Sequence, residues 1–403
     1  MPRKIYYGWF VVAACFAVAT MVAITVWSFG IFFKPLEAEF GWTRSLTSSA
    51  YTVFLLVYAA AVIVTGRLAD KFDPRPVLIG CGIIGAAGYM LCSGINSIVQ
   101  LRLTYALAAL GAGATVAMPS AYAQRWFYGR KRMGLAIAIV VCGVGTGSFI
   151  FAPIINYLIE NQGWRITYQV LAVIFFAVHA LSAFIIKRPP TDAAPAGDEK
   201  GGKSVNPPQI LSARKAMLTY AFIGICITHI VGMSAFQTMS VHFIPYATDI
   251  GVSSTLAATT FGTVGLFSIL GRLGGGFASE RLSFKTLLII SCTGLTVALG
   301  ILFLLGRFTW VLPAFAFIFG IFHGNRIVGW VGSLGEFLGM ANISLFIGIT
   351  EAIALLFGAA LPYVAGYIFD ATGSYYPAFI LLILMCIGGA FAACFIKPPA
   401  TPS

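Results

Sequence analysis

Apolar residues run on in blocks of about twenty along this chain, with short polar or charged breaks between them. Twelve blocks can be walked: Trp9 to Phe33, Ser45 to Gly66, Val77 to Ile95, Val99 to Ala123, Gly134 to Ile159, Thr167 to Ile186, Ala216 to Val241, Thr255 to Gly276, Thr286 to Leu305, Thr309 to Val331, Ile343 to Phe369 and Tyr376 to Ile396. About 20 apolar residues span a bilayer as a helix. In lipid each block must be helical, because a spanning backbone has to satisfy its own polar groups. The pattern therefore predicts an all-α membrane protein of twelve transmembrane helices.

Between the sixth and seventh blocks, Lys187 to Lys215 is rich in Pro, Gly and charge and reads as a flexible linker. It separates residues 1–186 from 216–403, six helices each. A weak repeat relates the halves, since GRLADKF from Gly66 to Phe72 returns as GFASERL from Gly276 to Leu282. Gly66 lies over Gly276, Asp70 over Glu280, and Lys71 over Arg281. The glycine permits close helix contact, and an acid four residues later can meet a neighbouring helix N-terminus or a base.

Composition agrees with the pattern: 59% of residues are hydrophobic, 9% are charged, and the mean hydropathy is +0.92. The net charge of +12 suggests nucleic acid until the basic residues are placed. Of the 25 Lys and Arg, eighteen fall on the side of the N-terminus and five on the other. That asymmetry puts both termini in the cytoplasm by the positive-inside rule and makes the basicity topological. The eight cysteines lie in apolar runs and read as small buried hydrophobes. The first block is too long for a signal sequence and stays as a helix.

The segment Gly66, Asp70, Lys71, Arg75 resembles the G-x-L-A-D-K-x-G-x-R signature of the major facilitator superfamily, with Asp73 where that family usually has Gly. Two pseudo-symmetric six-helix bundles, with a substrate site near mid-membrane between them, are what the resemblance implies.

Three ionisable residues interrupt the apolar blocks: Arg272, Arg326 and Glu351. A charge inside a span is by default a functional hypothesis. Each lies about eight residues from its helix end, or about 12 Å deep at 1.5 Å per residue. Arg326 and Glu351, on consecutive helices at matched depth, read as an ion pair or, with Glu351 protonated, as part of a proton-coupling device. Arg272 is left as a receptor for a carboxylate, which a guanidinium grips with two parallel hydrogen bonds. Among the four histidines, His179 and His229 read as core residues and His242 as packing. His323, three residues before Arg326 and so on nearly the same face, joins Asn325 as a candidate substrate contact.

Further stretches are similar to the monocarboxylate transporter family and its bacterial relatives, which include oxalate/formate exchangers. The first block opens on Gly8, Trp9, Phe10, Val11, Val12 and closes on Ile31, Phe32, Phe33, Lys34, like that family's G-W-x-V-V and V-F-F-K. Arg125, Trp126 and Phe127, followed by Arg130, Lys131, Arg132 and Gly134, resemble its basic loop. FGWTR from Phe40 and HFIPYATD from His242 look like bacterial members. The resemblance makes Arg272, four residues before Gly276, the arginine that grips the carboxylate. It places Glu351 where transporters of the family also carry Glu and where the oxalate exchanger has Lys. Two departures bear on coupling: Trp27 stands for a lysine of the animal members, and Ser268 for an aspartate. Before Pro119, Ala117 replaces a bacterial tyrosine, with Tyr122 a substitute.

Together these readings predict a secondary active transporter of small monocarboxylates, lactate- or pyruvate-like, moved with H+ by alternating access. Arg272 binds substrate, His323 and Asn325 read its oxygen, and Trp27, Phe29 and Tyr122 wall the site. Glu351 and Arg326 couple, and Gly66, Asp70, Lys71, Arg75, Gly276, Glu280 and Arg281 form a cytoplasmic gating motif. The alternatives are an oxalate/formate-type anion exchanger and a drug exporter, the latter opposed by the buried arginine. The expected setting is the inner membrane, as a monomer, without cofactor, metal or nucleic acid. No nucleotide-binding loop or catalytic set suggests an enzyme.

Overall fold

The computed structural model describes residues 6–42, 44–189, 213–306 and 308–397. Most of the expected linker, 190–212, lies outside the described residues. Among the described residues there is no strand, and eleven helices are long and apolar enough to span a bilayer. One of them, Met133–Ile185, has 53 residues and would run about 80 Å at 1.5 Å per residue, far beyond a core about 30 Å thick. It is broken at Gly163, whose φ of 81° and ψ of 161° are not helical. Left-handed φ favours glycine, so the chain turns there with scarcely a loop and eleven helices become twelve.

We number them α1 (Gly8–Phe32), α2 (Ser49–Lys71), α3 (Pro74–Cys92), α4 (Ile98–Phe127), α5 (133–162), α6 (164–185), α7 (Tyr220–Asp249), α8 (Thr259–Ala278), α9 (Phe284–Leu305), α10 (Val311–Leu338), α11 (Ile343–Phe369) and α12 (Tyr376–Cys394). Several starts carry a side-chain cap. Ser97 accepts from the Gln100 N–H at 3.3 Å, Thr219 from Phe222 at 3.2 Å and Ser283 from Thr286 at 3.2 Å. Asp73, the residue that departs from the signature, caps α3 by accepting the Arg75 N–H at 3.0 Å.

The chain forms two compact units. The first comprises Met1–Tyr128, Ile139–Glu199 and Asn342–Ala352, so it takes in the opening turns of α11. The second comprises Gly129–Ala138, Lys200–Ala341 and Ile353–Ser403, and takes in the opening turns of α5.

In the first unit, α1 is not a plain α-helix, because Ala23–Trp27 winds as a π-helical turn. Its carbonyls are met by tyrosines: Tyr51 Oη donates to the Val26 carbonyl at 2.9 Å and Tyr89 Oη to that of Ile24 at 3.3 Å. Tyr105 and Tyr168 share a hydrogen bond of 2.9 Å nearby in the buried aromatic core.

The second unit is organised by how closely α8 and α10 approach. A Cβ on Gly324 would lie 2.8 Å from the Ser268 carbonyl carbon, one on Gly320 would meet the Val264 carbonyl oxygen at 2.7 Å, and one on Gly271 would lie 2.7 Å from the Ile321 carbonyl carbon. Glycines on both helices thus bring backbone to backbone, the small-residue packing expected in lipid. Below this contact Phe243, Phe315, Phe319 and Leu299 fill a shared core.

Candidate functional site

The repeated glycine-acid motif has a structural counterpart in each unit. In the first, a Cβ on Gly66 would lie 2.9 Å from the Ser344 carbonyl carbon, so the opening of α11 rests directly on the glycine. Four residues on, the Asp70 carboxylate accepts the backbone N–H groups of Ser344 and Leu345 at 3.1 and 2.9 Å and pairs with Arg125. A carboxylate at a helix N-terminus meets unpaired N–H groups and the positive end of the dipole. Arg188 donates to the carbonyls of Asp70 and Phe72 at 3.1 and 2.7 Å. Tyr122 belongs here too: its hydroxyl donates to the Ala69 carbonyl at 3.2 Å, and Arg125 lies over its ring. The structure therefore places Tyr122 with the motif, not with Phe29. In the second unit the opening of α5 rests on Gly276, where a Cβ would be 2.7 Å from that of Ala138 and 3.0 Å from the Gly134 carbonyl oxygen. Glu280 and Arg281 follow in the turn after α8.

Arg272, on α8, is buried to 6% exposure, and Arg326, on α10, to 1%. His323 lies three residues before Arg326 on α10, and Gly271, next to Arg272, meets the α10 backbone at Ile321, two residues before His323. His323 is itself buried, stacked on Phe236 with ring centroids 4.3 Å apart, and its Nδ1 has no hydrogen-bond partner among the described residues. The packed helices α8 and α10 thus carry two buried guanidiniums and an imidazole with an unused nitrogen, an arrangement suited to an anion that carries a second polar group. Asn325 is turned otherwise. Its amide donates across to α9, to Ser291 Oγ at 2.8 Å and the Leu287 carbonyl at 3.4 Å, while its Oδ1 lies over Gly275. Arg326 donates to His229 Nδ1 at 2.8 Å, a neighbour on α7 that the sequence reading assigned to the core.

Glu351, on α11, is 8% exposed and belongs to the first unit. Its charge acts on the Tyr58 hydroxyl of α2, which is also hydrogen-bonded to Thr115 of α4. Neither Tyr58 nor Thr115 stood out in the sequence, since a Tyr and a Thr in apolar runs carry no pattern of their own. Phe29 is buried in the aromatic stack, parallel to Tyr51 at 5.3 Å and edge-on to Tyr105 at 5.2 Å. Trp27 ends the π turn, and its side chain lies outside the described residues. His179 and His242 have the packing roles expected. His179 Nδ1 meets the Phe175 carbonyl at 2.9 Å, and His242 bridges Tyr375 Oη at 3.2 Å and the Pro362 carbonyl at 2.8 Å. Among the described residues no group of three or more His, Cys, Asp or Glu is arranged to hold a metal.

Residues 15–317 match the sequence profile of the Major Facilitator Superfamily. Monocarboxylate transporter 13 of Rattus norvegicus is 24% identical over 393 residues, which are 95% of this chain and 87% of that one. Monocarboxylate transporter 12 of Homo sapiens is 25% identical over 410 residues, covering 93% and 77%. Among solved structures, the proton:xylose symporter XylE superposes with a TM-score of 0.75 at 13% identity, over 97% of this chain and 96% of that one. The E. coli fucose:proton symporter FucP does so with 0.73 at 15% identity, over 98% and 100%. At these identities the two structures share the fold.

Proposed function

Because the chain belongs to the Major Facilitator Superfamily, a family of secondary transporters, we propose that it carries small monocarboxylates of the lactate or pyruvate kind, together with a proton. The observation that carries this reading is the buried Arg272 on α8, whose neighbour Gly271 packs on the α10 backbone at Ile321, two residues before the buried His323. A guanidinium held away from water gives a carboxylate two parallel charge-assisted hydrogen bonds, and His323 Nδ1 is left to read a hydroxyl or keto oxygen. The curated relatives named as monocarboxylate transporters support the same substrate class. Asn325 braces α10 against α9.

Two arginines and one ionised glutamate leave a single positive charge, which one monocarboxylate neutralises. Glu351 takes and releases the proton, with the Tyr58 hydroxyl as its neighbour. The Asp70 and Gly276 motifs act as gates in the alternating-access cycle. The protein works as a monomer in the inner membrane with both termini in the cytoplasm. Uptake of a panel of radiolabelled acids into proteoliposomes under an inward proton gradient tests this. Accumulation of lactate or pyruvate is expected, and its absence alongside uptake of other solutes would overturn it.

A second reading, exchange of a dicarboxylate such as oxalate against formate, draws on the same two arginines. With Glu351 protonated they leave two positive charges, matching a dianion. Oxalate-driven counterflow of labelled formate, independent of a proton gradient, distinguishes it.

A further inference from the structure

Arg326 heads the fully buried side chains by volume, and its position is fixed by residues of α7 and α10. Its Nη1 lies 2.8 Å from His229 Nδ1 and 3.4 Å from the His229 carbonyl oxygen. Arginine has five donors, no acceptor, and keeps its proton in proteins. His229 Nδ1 must therefore accept, which makes the imidazole neutral with its proton on Nε2. One turn further along α7, Gly232 leaves room for the arginine side chain, since a Cβ there would lie 2.7 Å from Arg326 Cζ. One turn further along α10, Trp330 lies flat on the His229 ring, with centroids 3.6 Å apart and planes 9° from parallel. The indole fixes the imidazole plane, the plane fixes the direction of the Nδ1 lone pair, and the lone pair fixes Nη1.

A histidine, a glycine three residues on, an arginine and a tryptophan four residues on thus make one cradle from two helices. The cradle holds Arg326 one turn beyond His323 on α10, the helix that α8 meets at Ile321 and Asn325 through Gly271 and Gly275 on either side of Arg272. We propose that His229 is a positioning residue for substrate binding: as the neutral Nε2–H tautomer it orients Arg326, which serves as the second cation of the carboxylate site beside Arg272. This rests on the reading of the substrate as a carboxylate.

Two measurements separate the inference from that reading. The first needs no substrate: 15N spectra of histidine-labelled protein contain only four imidazoles, and the His229 signals are assigned by their loss in His229→Asn. The expected result is an unprotonated Nδ1 that accepts a hydrogen bond and a protonated Nε2. The Nδ1 resonance should shift in Gly232→Ala, which displaces the guanidinium while keeping every donor, and the His179 and His242 signals should stay. A protonated Nδ1, or one that ignores Gly232→Ala, overturns the proposal even if carboxylate transport is established.

The second is kinetic. Asn places an acceptor oxygen near the Nδ1 position and Leu does not. His229→Asn should keep KM for the transported acid within about threefold of wild type, while His229→Leu raises it about tenfold or more at similar Vmax, the loss of one hydrogen bond to a charged group. Equal KM in both variants, or a rise confined to whichever variant also melts at a lower temperature, overturns it. Should wild-type protein move no carboxylate, the proposed function fails, and the 15N spectra still decide whether His229 orients Arg326.

Discussion

Asp70 caps α11 through the Leu345 N–H at 2.9 Å, binding the last turn of α2 to a helix 275 positions along the chain. The same carboxylate takes the Ser344 N–H and the Arg125 guanidinium, so one side chain satisfies a helix terminus and a partly buried cation together.

Removing that charge has a cost that can be measured. Asp70→Asn leaves the partly buried Arg125 without its anion and weakens the α11 cap, a cost below the ~3–5 kcal/mol of breaking a fully buried pair from one side. Thermal unfolding in detergent should show a clear fall for Asp70→Asn and a partial recovery for Asp70→Asn with Arg125→Gln. Equal melting of single and double variants would show that the pair contributes nothing beyond the cap.

Arg272→Lys keeps the charge and loses the planar fork, which a point ammonium does not reproduce. Carboxylate uptake should fall at least about tenfold, the effect of losing one of two charge-assisted bonds, while the melting temperature stays near wild type. Uptake at the wild-type rate would remove Arg272 from the substrate site.

Coupling separates Glu351 from His323. If Glu351 carries the proton, Glu351→Gln should still exchange labelled for unlabelled acid across the membrane and lose accumulation driven by a proton gradient. If His323 carries it, His323→Gln should show that phenotype instead. Gradient-driven accumulation that survives both substitutions would exclude both carriers.

A pH dependence outside the membrane follows from Glu39, in the last turn of the helix Phe29–Phe40 that continues α1. Its carboxylate accepts from Arg165 at 2.5 Å and from the Trp164 indole at 2.7 Å. The Arg165 hydrogen bond, then that of Trp164, hold its pKa below the ordinary carboxylate value. A depressed folded pKa contributes stability that is complete above the unfolded value of about 4.3 and is lost as pH falls through the folded one. The pair is half exposed, so the effect is below about 1 kcal/mol. Glu39→Gln should melt slightly below wild type at pH 7, and the gap should narrow as pH falls below the unfolded value; a gap that does not change with pH would assign the effect to packing.

Span positions were legible because apolar run length alone encodes a crossing helix. The eleventh run, Ile343 to Phe369, shares its first residue with the helix Ile343–Thr372 and lies wholly within it. The acid after Gly66 was expected to meet a helix N-terminus or a base, and Asp70 meets both. Side-chain partners across helices were not legible. His229 and Arg326 are 97 positions apart, and in a run where nearly every residue is apolar no periodicity says which face of α7 meets α10. Tyr122 was grouped with Phe29 on residue type, whereas its position five residues before the end of α4 carries its hydroxyl to Ala69. The π turn left no trace either, because an extra residue wound into an apolar stretch changes no hydropathy pattern.

That turn has a consequence for ancestry. A π-helical turn accommodates one more residue than the α-helix around it, and amounts to a single-residue insertion absorbed without a loop. Where a relative winds the same stretch as plain α-helix, a gap-free alignment through Ala23–Trp27 equates residues one place out of step, about 100° apart around the axis. The position matched to the lysine of the animal transporters then shifts from Trp27 to Val26 or Ser28. Val26 offers the carbonyl that Tyr51 occupies, and the Ser28 hydroxyl donates to that of Ile24 at 2.6 Å. Homology across this helix is therefore to be counted by turns of the backbone rather than by letters of the sequence.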